Sequence, residues 1–543
     1  MFVFNKSLVK LKINWFTIAK VLVVSLVAAI AFILRIYPGY DHFIWTYDQA
    51  RDRYVIASII AQRHLVLHGP QTETFGLSHG PIFYYLMAPF YYLSKGDPNL
   101  PGLAMALINI STVIPILLLT QKLFKNRITT ILAGLLFLFS YQQLEYSRWI
   151  SNVAVSIPFL AWSYYFLFMS VWQKQSQPLT YFFLGLCLGL ATQAEFFLIS
   201  IIVFVTIILA LKKINWRLWF GYSVGTVLGL LPFILVEIMS HFLGTKVFFE
   251  QFLQEHAQVE FSASAAFSSY LNHLGMTMKQ VIGGISNPMG LFLLIGLVAL
   301  SIYFALKSKN SSEKEAMLFL FLPFLFHAFL FTFHFVDSVF LDLGLGSVLI
   351  ILTAYTLNKL RQINLPIFFG CVTLIAISII VQFNSYIIQE KPFGEPGFIQ
   401  DGILYKNKMA IVHRIYQLTQ GKPFSFQSIG TPYGVRTVWA SIFEQYVQRT
   451  HAILPEWFGY YANGYPGETL FKTQDFPNQF HVVIIESNIK ALLPAPIYQA
   501  ALQKIDETTT LISQEKMFDF TIQLRQPITT AQLKTATTTS TKN

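Results

Sequence analysis

Charge is what this chain lacks. Of 543 residues only 12% are Asp, Glu, Lys or Arg, while 54% are hydrophobic and the mean hydropathy is +0.52. Soluble domains carry about 25% charged residues, so that class is excluded. Cysteine is nearly absent as well: Cys187 and Cys371 are the two, each inside an apolar run. No disulfide framework or cysteine metal site follows from them, and both are expected as buried thiols. Acidic residues number 27 against 38 basic ones, for a net charge of +11. That excess invites a nucleic-acid reading. Most of the basic side chains, however, fall in short loops between apolar runs, where they orient a membrane protein. No nucleic-acid partner is expected.

The chain has apolar length instead. Eleven apolar stretches lie at 15–34, 100–121, 128–144, 153–172, 179–194, 196–211, 218–238, 288–306, 317–335, 339–357 and 365–388. Many approach the roughly 20 residues that cross a bilayer as helix. The expected fold class is an all-α polytopic membrane protein with about eleven transmembrane helices and a small C-terminal α/β or α+β soluble domain. Lys6, Lys10, Lys12 and Lys20 mark the N-terminus as inside. The loops holding Lys122, Lys125 and Arg127, then Lys174, then Lys212, Lys213 and Arg217, then Lys307, Lys309 and Lys314, then Lys359 and Arg361 alternate back to that side. The C-terminus is then outside. Ala29-Ile30-Ala31 resembles a signal-peptidase site, but the apolar runs that follow favour an uncleaved first helix.

The expected division is a transmembrane domain over 1–389, with outer loops at 35–99 and 239–287, an extracytoplasmic domain over 390–527, and a disordered tail over 528–543. One further apolar run, HGPIFYYLMAPFYYLS (His79 to Ser94), is not counted as a crossing. It is short, Pro81 and Pro89 interrupt it, and a crossing there would invert every later loop. It reads as a helix in the outer interface.

The first outer loop holds TYDQARDR, from Thr46 to Arg53, with four charges in eight residues. Thr46 followed by Gln49 is a capping-box pattern. It places Asp48 in the first turn of a helix running to about Arg63, where the helix dipole favours an ionised carboxylate. Asp52 shares its face. Val55, Ile56, Ile59 and Ile60 form a stripe that could lie on the membrane interface. A carboxylate held there could take a proton from an acceptor hydroxyl or amine. The plainer alternative is a solvated helix start with Asp48, Arg51 and Asp52 paired among themselves.

The order of these elements resembles the GT-C glycosyltransferases, in particular the bacterial aminoarabinose-transferase and protein O-mannosyltransferase-like group. The matching residues are Asp48-Gln49-Ala50, Gly80-Pro81-Ile82-Phe83-Tyr84-Tyr85 and Arg148-Trp149-Ile150-Ser151-Asn152, all on the predicted outer face. The resemblance covers about residues 10–240 by motif and continues beyond as architecture. It implies transfer of a sugar from a polyprenyl-phosphate carrier to a glycan, lipid or protein acceptor at the outer face of the plasma membrane. It implies inversion, with Asp48 as the catalytic carboxylate. It assigns donor phosphate binding to Arg51, Arg53, His79 and Arg148. The sequence departs from the group at His79-Gly80-Pro81, where K-P-P is usual, and at Val153, where proline often follows the asparagine.

Asp52, Tyr84, Glu145, Asn152 and Glu195 are the candidates for the acceptor or the cavity. Glu145 could equally pair with Arg148. Glu237 stands near another outer helix end, and His334, Asp337 and Asp342 cluster before the 339–357 stretch. Asp342 is expected to face the protein interior. Asp41, Asp48, Asp52 and Glu73 share one loop and could hold a divalent ion. The resemblance is to members thought to work without one, so neither a metal nor another cofactor is expected. In the C-terminal region, helices are expected near 403–419 and 434–449 and strands near 424–428, 481–485 and 518–524. Trp457, Tyr460, Tyr461 and Tyr465 lie in a Gly/Pro-containing loop suited either to stacking on sugars or to packing on itself. The rival function is a transporter or flippase for a lipid-linked saccharide. It would call for midplane polar residues and paired repeats, and neither is evident.

Overall fold

The computed structural model describes residues 15–72, 77–173, 177–258, 262–284, 286–331, 342–389, 403–430, 432–475, 477–486, 489 and 493–528. Within these, helix runs through each of the eleven apolar stretches. Four helices are long and apolar enough to cross a membrane: Asn99–Phe124, Asn152–Val171, Asn287–Lys307 and Leu365–Asn384. The pair Trp216–Gly229 and Leu231–Met239, bent by 65°, would make a fifth. The other apolar helices, Pro178–Ala194 and Arg127–Phe139 among them, are shorter. Leu365–Asn384 buries none of its residues in the protein, leaving Ile367, Phe369, Leu374, Ile377 and Ile380 facing outward. An apolar surface of that length is matched by lipid rather than water.

The Pro178–Ala194 and Trp216–Gly229 helices approach along glycines. A Cβ on Gly225 would sit 2.0 Å from the Phe182 carbonyl oxygen, and one on Gly189 would sit 2.7 Å from the Gly229 Cα. Small residues permit this in membrane helices. The close approach lets Gln193 Nε2 donate to the Gly229 carbonyl at 2.5 Å. The Gln193 carbonyl in turn accepts from Gly80 N–H at 2.8 Å, so the seam fixes the start of the HGP segment.

The segment over 35–99, expected as the first outer loop, is folded where it is described. Helix α1 (Trp15–Ile36) leads into it, followed by α2 (Tyr47–Gln62) and α3 (Ile82–Leu93). Twelve residues of helix extend about 18 Å, so α3 is too short to cross a bilayer, in line with its exclusion above. It buries Phe83, Tyr84, Met87 and Tyr91. In α2, Ile56 and Ile59 are in the core, but so are Gln49, Arg51, Asp52 and Arg53. The alternative of a solvated helix start therefore fails on its solvation, because Arg51, Asp52 and Arg53 are buried, although Asp48, Arg51 and Asp52 do pair among themselves.

The C-terminal region is a mixed sheet of β1 (Ser425–Ile429), β2 (Glu456–Trp457), β3 (His481–Glu486), β4 (Thr509–Met517) and β5 (Phe520–Pro527), in the order β2-β1-β3-β5-β4. β1 pairs in parallel with β2 and β3, while β5 pairs antiparallel with β3 and β4. Helices Tyr405–Leu418, Thr437–Thr450 and Ala495–Thr508 accompany it. The last of these, β2 and β4 had no counterpart in the sequence reading. The linker after Gln389 and the tail after Ile528 lie outside the described residues.

This domain grips the first outer loop. Trp45 N–H donates to the Ile403 carbonyl at 2.8 Å, and Tyr405 N–H to the Phe43 carbonyl at 3.0 Å. The Trp45 indole donates to Ser441 Oγ at 3.1 Å, and Lys408 Nζ to the Trp45 carbonyl at 2.9 Å. Arg53 reaches Glu444 at 2.6 Å and the Gly96 carbonyl at 2.8 Å. Removing Glu444 leaves the buried Arg53 guanidinium without its counter-charge. Glu444→Ala is expected to cost about 1–3 kcal/mol. It should also speed amide exchange in the Thr437–Thr450 helix, as read by hydrogen–deuterium exchange, and unchanged exchange would refute the latch.

Candidate active site

Helix α2 starts at Thr46, whose N–H and hydroxyl both donate to Gln49 Oε1, at 2.9 and 2.7 Å. Gln49 thereby covers a donor that the first turn leaves over. Asp48 follows in that turn, with its side chain 58% exposed. Arg51 is the pivot. Its Nη1 lies 2.9 Å from Asp48 Oδ1, its Nε donates to Asp52 Oδ1 at 2.9 Å, and its Cζ sits 5.6 Å from the Tyr47 ring centroid. Tyr84, from α3, donates its hydroxyl to Asp52 Oδ1 at 3.0 Å. One carboxylate of the pair is buried and fully engaged, while the other is held from one side and open on the other.

Burial pushes the Asp52 carboxyl up to about 6, against the opposing pull of Arg51. Burial also disfavours the Arg51 charge, but Asp52 and Asp48 together hold the guanidinium firmly protonated. Tyr84 is pushed up by burial and by the neighbouring Asp52 charge. Burial, aided by the Arg51 charge, lowers His79 to about 4, so its imidazole is neutral at physiological pH. His79 Nδ1 is buried with no hydrogen-bond partner. The His79 backbone is pinned, with its N–H on the Pro70 carbonyl and its carbonyl accepting from Gly69, each at 2.8 Å. The Arg51 charge acts on the His79 ring, so the two side chains are within electrostatic reach of each other.

Asp48, Arg51, Asp52, Tyr84 and His79 thus come together, and the remaining sequence candidates do not. Arg148, expected at the donor phosphate, is 3% exposed and donates to the carbonyls of Leu34, Arg35 and Tyr37 at 2.6, 3.1 and 2.6 Å. It clamps the end of α1. Arg53 serves the C-terminal domain as described above. Asn152 donates to the Ala194 carbonyl at 2.7 Å, holding the end of the Pro178–Ala194 helix. Glu145 accepts from Tyr141. With Glu195 and Asp342 it forms a second polar group around Tyr146. Asp342 faces the interior, paired with His273 at 2.8 Å and Thr277 at 3.1 Å. Beside it is a cavity of about one water, lined by Gln142, Gln143 and Ser347. Glu237 accepts from Thr245 N–H and hydroxyl at 3.0 and 2.7 Å, tying down the following turn instead of facing a cavity. Cys187 is buried, but Cys371 is half-buried, so only one thiol matches the expectation. Glu73, His334 and Asp337 lie outside the described residues. Among the described residues, no group of three or more His, Cys, Asp or Glu side chains converges as metal ligands do.

The tyrosines flanking this turn, Tyr47 and Tyr54, meet the C-terminal domain. Tyr465 meets the Tyr47 ring edge-on at 6.2 Å. A Cβ on Gly467 would sit 2.6 Å from the Tyr54 ring. The aromatic loop had been noticed, but a neighbour some 400 residues away leaves no local signal.

By sequence, no protein-family profile and no curated protein matches the chain. By structure, it resembles ArnT from Cupriavidus metallidurans, solved with undecaprenyl phosphate and in the apo state. Each superposes at a TM-score of 0.56 and 12% identity, over 93% and 94% of this chain respectively and 98% of ArnT. An oligosaccharyltransferase from Archaeoglobus fulgidus, solved with a tethered acceptor peptide, superposes at 0.48 and 12% identity over 92% of this chain and 72% of its own. At 0.56 over nearly the whole length of both chains, the chain shares the fold of ArnT, an aminoarabinose transferase and GT-C glycosyltransferase.

Proposed function

We propose that the chain is a membrane glycosyltransferase that moves a sugar from a polyprenyl-phosphate carrier to an acceptor on the extracytoplasmic face of the plasma membrane. The observation that carries this reading is the open Asp48 carboxylate, fixed by Arg51 at the N-terminus of α2, in a chain with the ArnT fold. About eleven crossings, with the N-terminus inside and the C-terminal domain outside, put that carboxylate on the outer face. ArnT holds undecaprenyl phosphate, and the donor proposed here has that chemistry. The transmembrane and extracytoplasmic domains divide near residue 390.

In the proposed step, an acceptor hydroxyl or amine attacks the anomeric carbon and its proton passes to Asp48. The bond from that carbon to the phosphate oxygen breaks, and the polyprenyl phosphate leaves with the electron pair. A single displacement inverts the centre. Arg51, which pairs with Asp48, and the neutral His79 within reach of its charge are the groups assigned to the phosphate. Arg148 and Arg53 are not assigned to it, because each is already engaged elsewhere.

The buried acid sets a pH dependence. When Asp52 takes a proton near pH 6, Arg51 loses its buried counter-charge and with it the anchor that aims the guanidinium at Asp48 and the phosphate. Transfer is expected to fall as the pH drops through about 6, and Asp52→Asn should abolish that acid limb. A limb that persists in the variant would remove Asp52 from this role. The stability linkage has the opposite sense. A carboxyl whose folded pKa is raised binds its proton more tightly in the folded protein. Its contribution is therefore full below the unfolded value near 3.8 and is lost as the pH rises through about 6.

The proposal is tested with the purified protein in liposomes. Undecaprenyl-phosphate-linked sugars are supplied on one side, and envelope glycans and lipid-linked sugars of a deletion strain are analysed by mass spectrometry. One missing modification with accumulated donor is the expected result. Movement of intact donor across the bilayer without cleavage would establish a flippase instead.

A further inference from the structure

The Gly/Pro-containing loop of the C-terminal domain, from Phe458 to Glu468, is built outward as well as inward. Tyr460 lies on Tyr433, with ring centroids 5.4 Å apart and planes within 9°. Tyr460 remains 58% exposed, so one ring face is packed and the other is open. The pair is framed tightly. Gly434 has φ +78°, and a Cβ there would sit 2.6 Å from the Tyr460 ring. Ala462 N–H donates to the Gly434 carbonyl at 3.0 Å. Beneath, Arg436 is 4% exposed, with its Cζ 4.4 Å from the Tyr461 centroid and 5.5 Å from that of Trp457. It anchors the loop through ring faces and does not present its charge outward.

The loop is continuous with the site. Tyr465 follows Tyr460 by five residue steps, a reach of at most ~17 Å. Tyr465 stands edge-on to Tyr47, the residue before Asp48. The Thr437 hydroxyl donates to the Pro466 carbonyl at 2.7 Å and fixes that turn to the domain. From Trp457 to Glu468 the sequence WFGYYANGYPGE has one charged residue, Glu468, whose carboxylate accepts from Gly464 N–H at 2.6 Å and Tyr465 N–H at 3.4 Å. With no outward cation, the loop offers nothing for a lipid phosphate. An open tyrosine face with a hydroxyl at its edge matches a neutral sugar ring, which is apolar on its C–H face and polar around its rim.

We propose that Tyr460, backed by Tyr433, is an acceptor subsite for a neutral oligosaccharide whose reacting end extends past Tyr465 to Asp48. This rests on the glycosyltransferase reading and narrows its acceptor to a saccharide. Tyr460 contacts the acceptor, and Tyr433 and Arg436 are positioning residues.

The test measures binding separately from turnover. Saturation-transfer NMR of the full-length protein in detergent, with maltotetraose, mannotetraose and chitotetraose as probes, should show contact with at least one. That contact should be lost in Tyr460→Ala and kept in Tyr460→Trp. The thermal shift given by undecaprenyl phosphate should be the same in all three proteins, which shows that the variants fold. In the transfer assay, Tyr460→Ala should raise the acceptor KM about tenfold and leave kcat unchanged. Saccharide contact that survives Tyr460→Ala, no contact with any probe, or equal KM values would overturn the subsite. No thermal shift and no transfer by the wild-type protein would instead fail the glycosyltransferase reading.

Discussion

Asp48→Asn is expected to lower transfer by about 10²–10⁴-fold, the usual contribution of a positioned acid–base group. The substitution keeps the shape of the side chain and an oxygen that can still face Arg51. It removes the basic carboxylate. Because the side chain is 58% exposed, no desolvated carboxylate is lost, and the thermal midpoint should stay within a degree or two. The two hydrogen bonds between Thr46 and Gln49, and the core residues Ile56 and Ile59, hold the helix without it. Binding of undecaprenyl phosphate should persist, because the groups assigned to phosphate, Arg51 and His79, are untouched. The informative outcome is the combination: transfer lost, with lipid binding and folding kept. Wild-type turnover by the purified variant would remove Asp48 from the mechanism and leave the Asp52–Tyr84 pair as the group to examine.

The parts of this site that could be read from the sequence are the parts made by neighbours in the chain. Thr46 and Gln49 mark a helix start because capping is a contact over three residues. Asp48 and Arg51 pair because three residues bring them to one side of the helix. The HGP segment was separable from the longer apolar runs because it is short and Pro81 and Pro89 interrupt it. What was not legible depends on which way a long side chain turns. Arg51, Arg53 and Arg148 look alike as outer-face cations. Yet Arg51 faces Asp48, Arg53 reaches Glu444 in another domain, and Arg148 is spent on three carbonyls at the end of α1. Periodicity also misled on α2: the Val55, Ile56, Ile59 and Ile60 stripe suggested an interfacial helix, but the polar first turns are buried too, Asp52 against Tyr84 of α3 and Arg53 against Glu444 of the C-terminal domain. The glycine seam that places Gly80 likewise depends on two helices meeting, which no single segment announces.

Arg51 should give the largest effect on folding and activity together. Arg51→Met is expected to destabilise by about 3–5 kcal/mol, the range for removing one partner of a buried ion pair. The cost arises at Asp52, which is 3% exposed and would keep only the Tyr84 hydroxyl. Transfer should be lost as well, because the same guanidinium orients Asp48 and faces the phosphate. These two roles separate by pH and by a second substitution. Asp52 already takes a proton near pH 6. Without Arg51 its carboxyl should stay protonated to higher pH, so the variant should regain stability as the pH falls from 8 to 5. Arg51→Met with Asp52→Asn removes the stranded charge altogether. The double variant is therefore expected to recover most of the lost stability at pH 8 while remaining inactive, a coupling that a double-mutant cycle reads directly. Additive losses in the two single variants would show that Arg51 does not work through Asp52. Recovered transfer in the double variant would show that Arg51 serves the fold alone and that the phosphate is held by other groups.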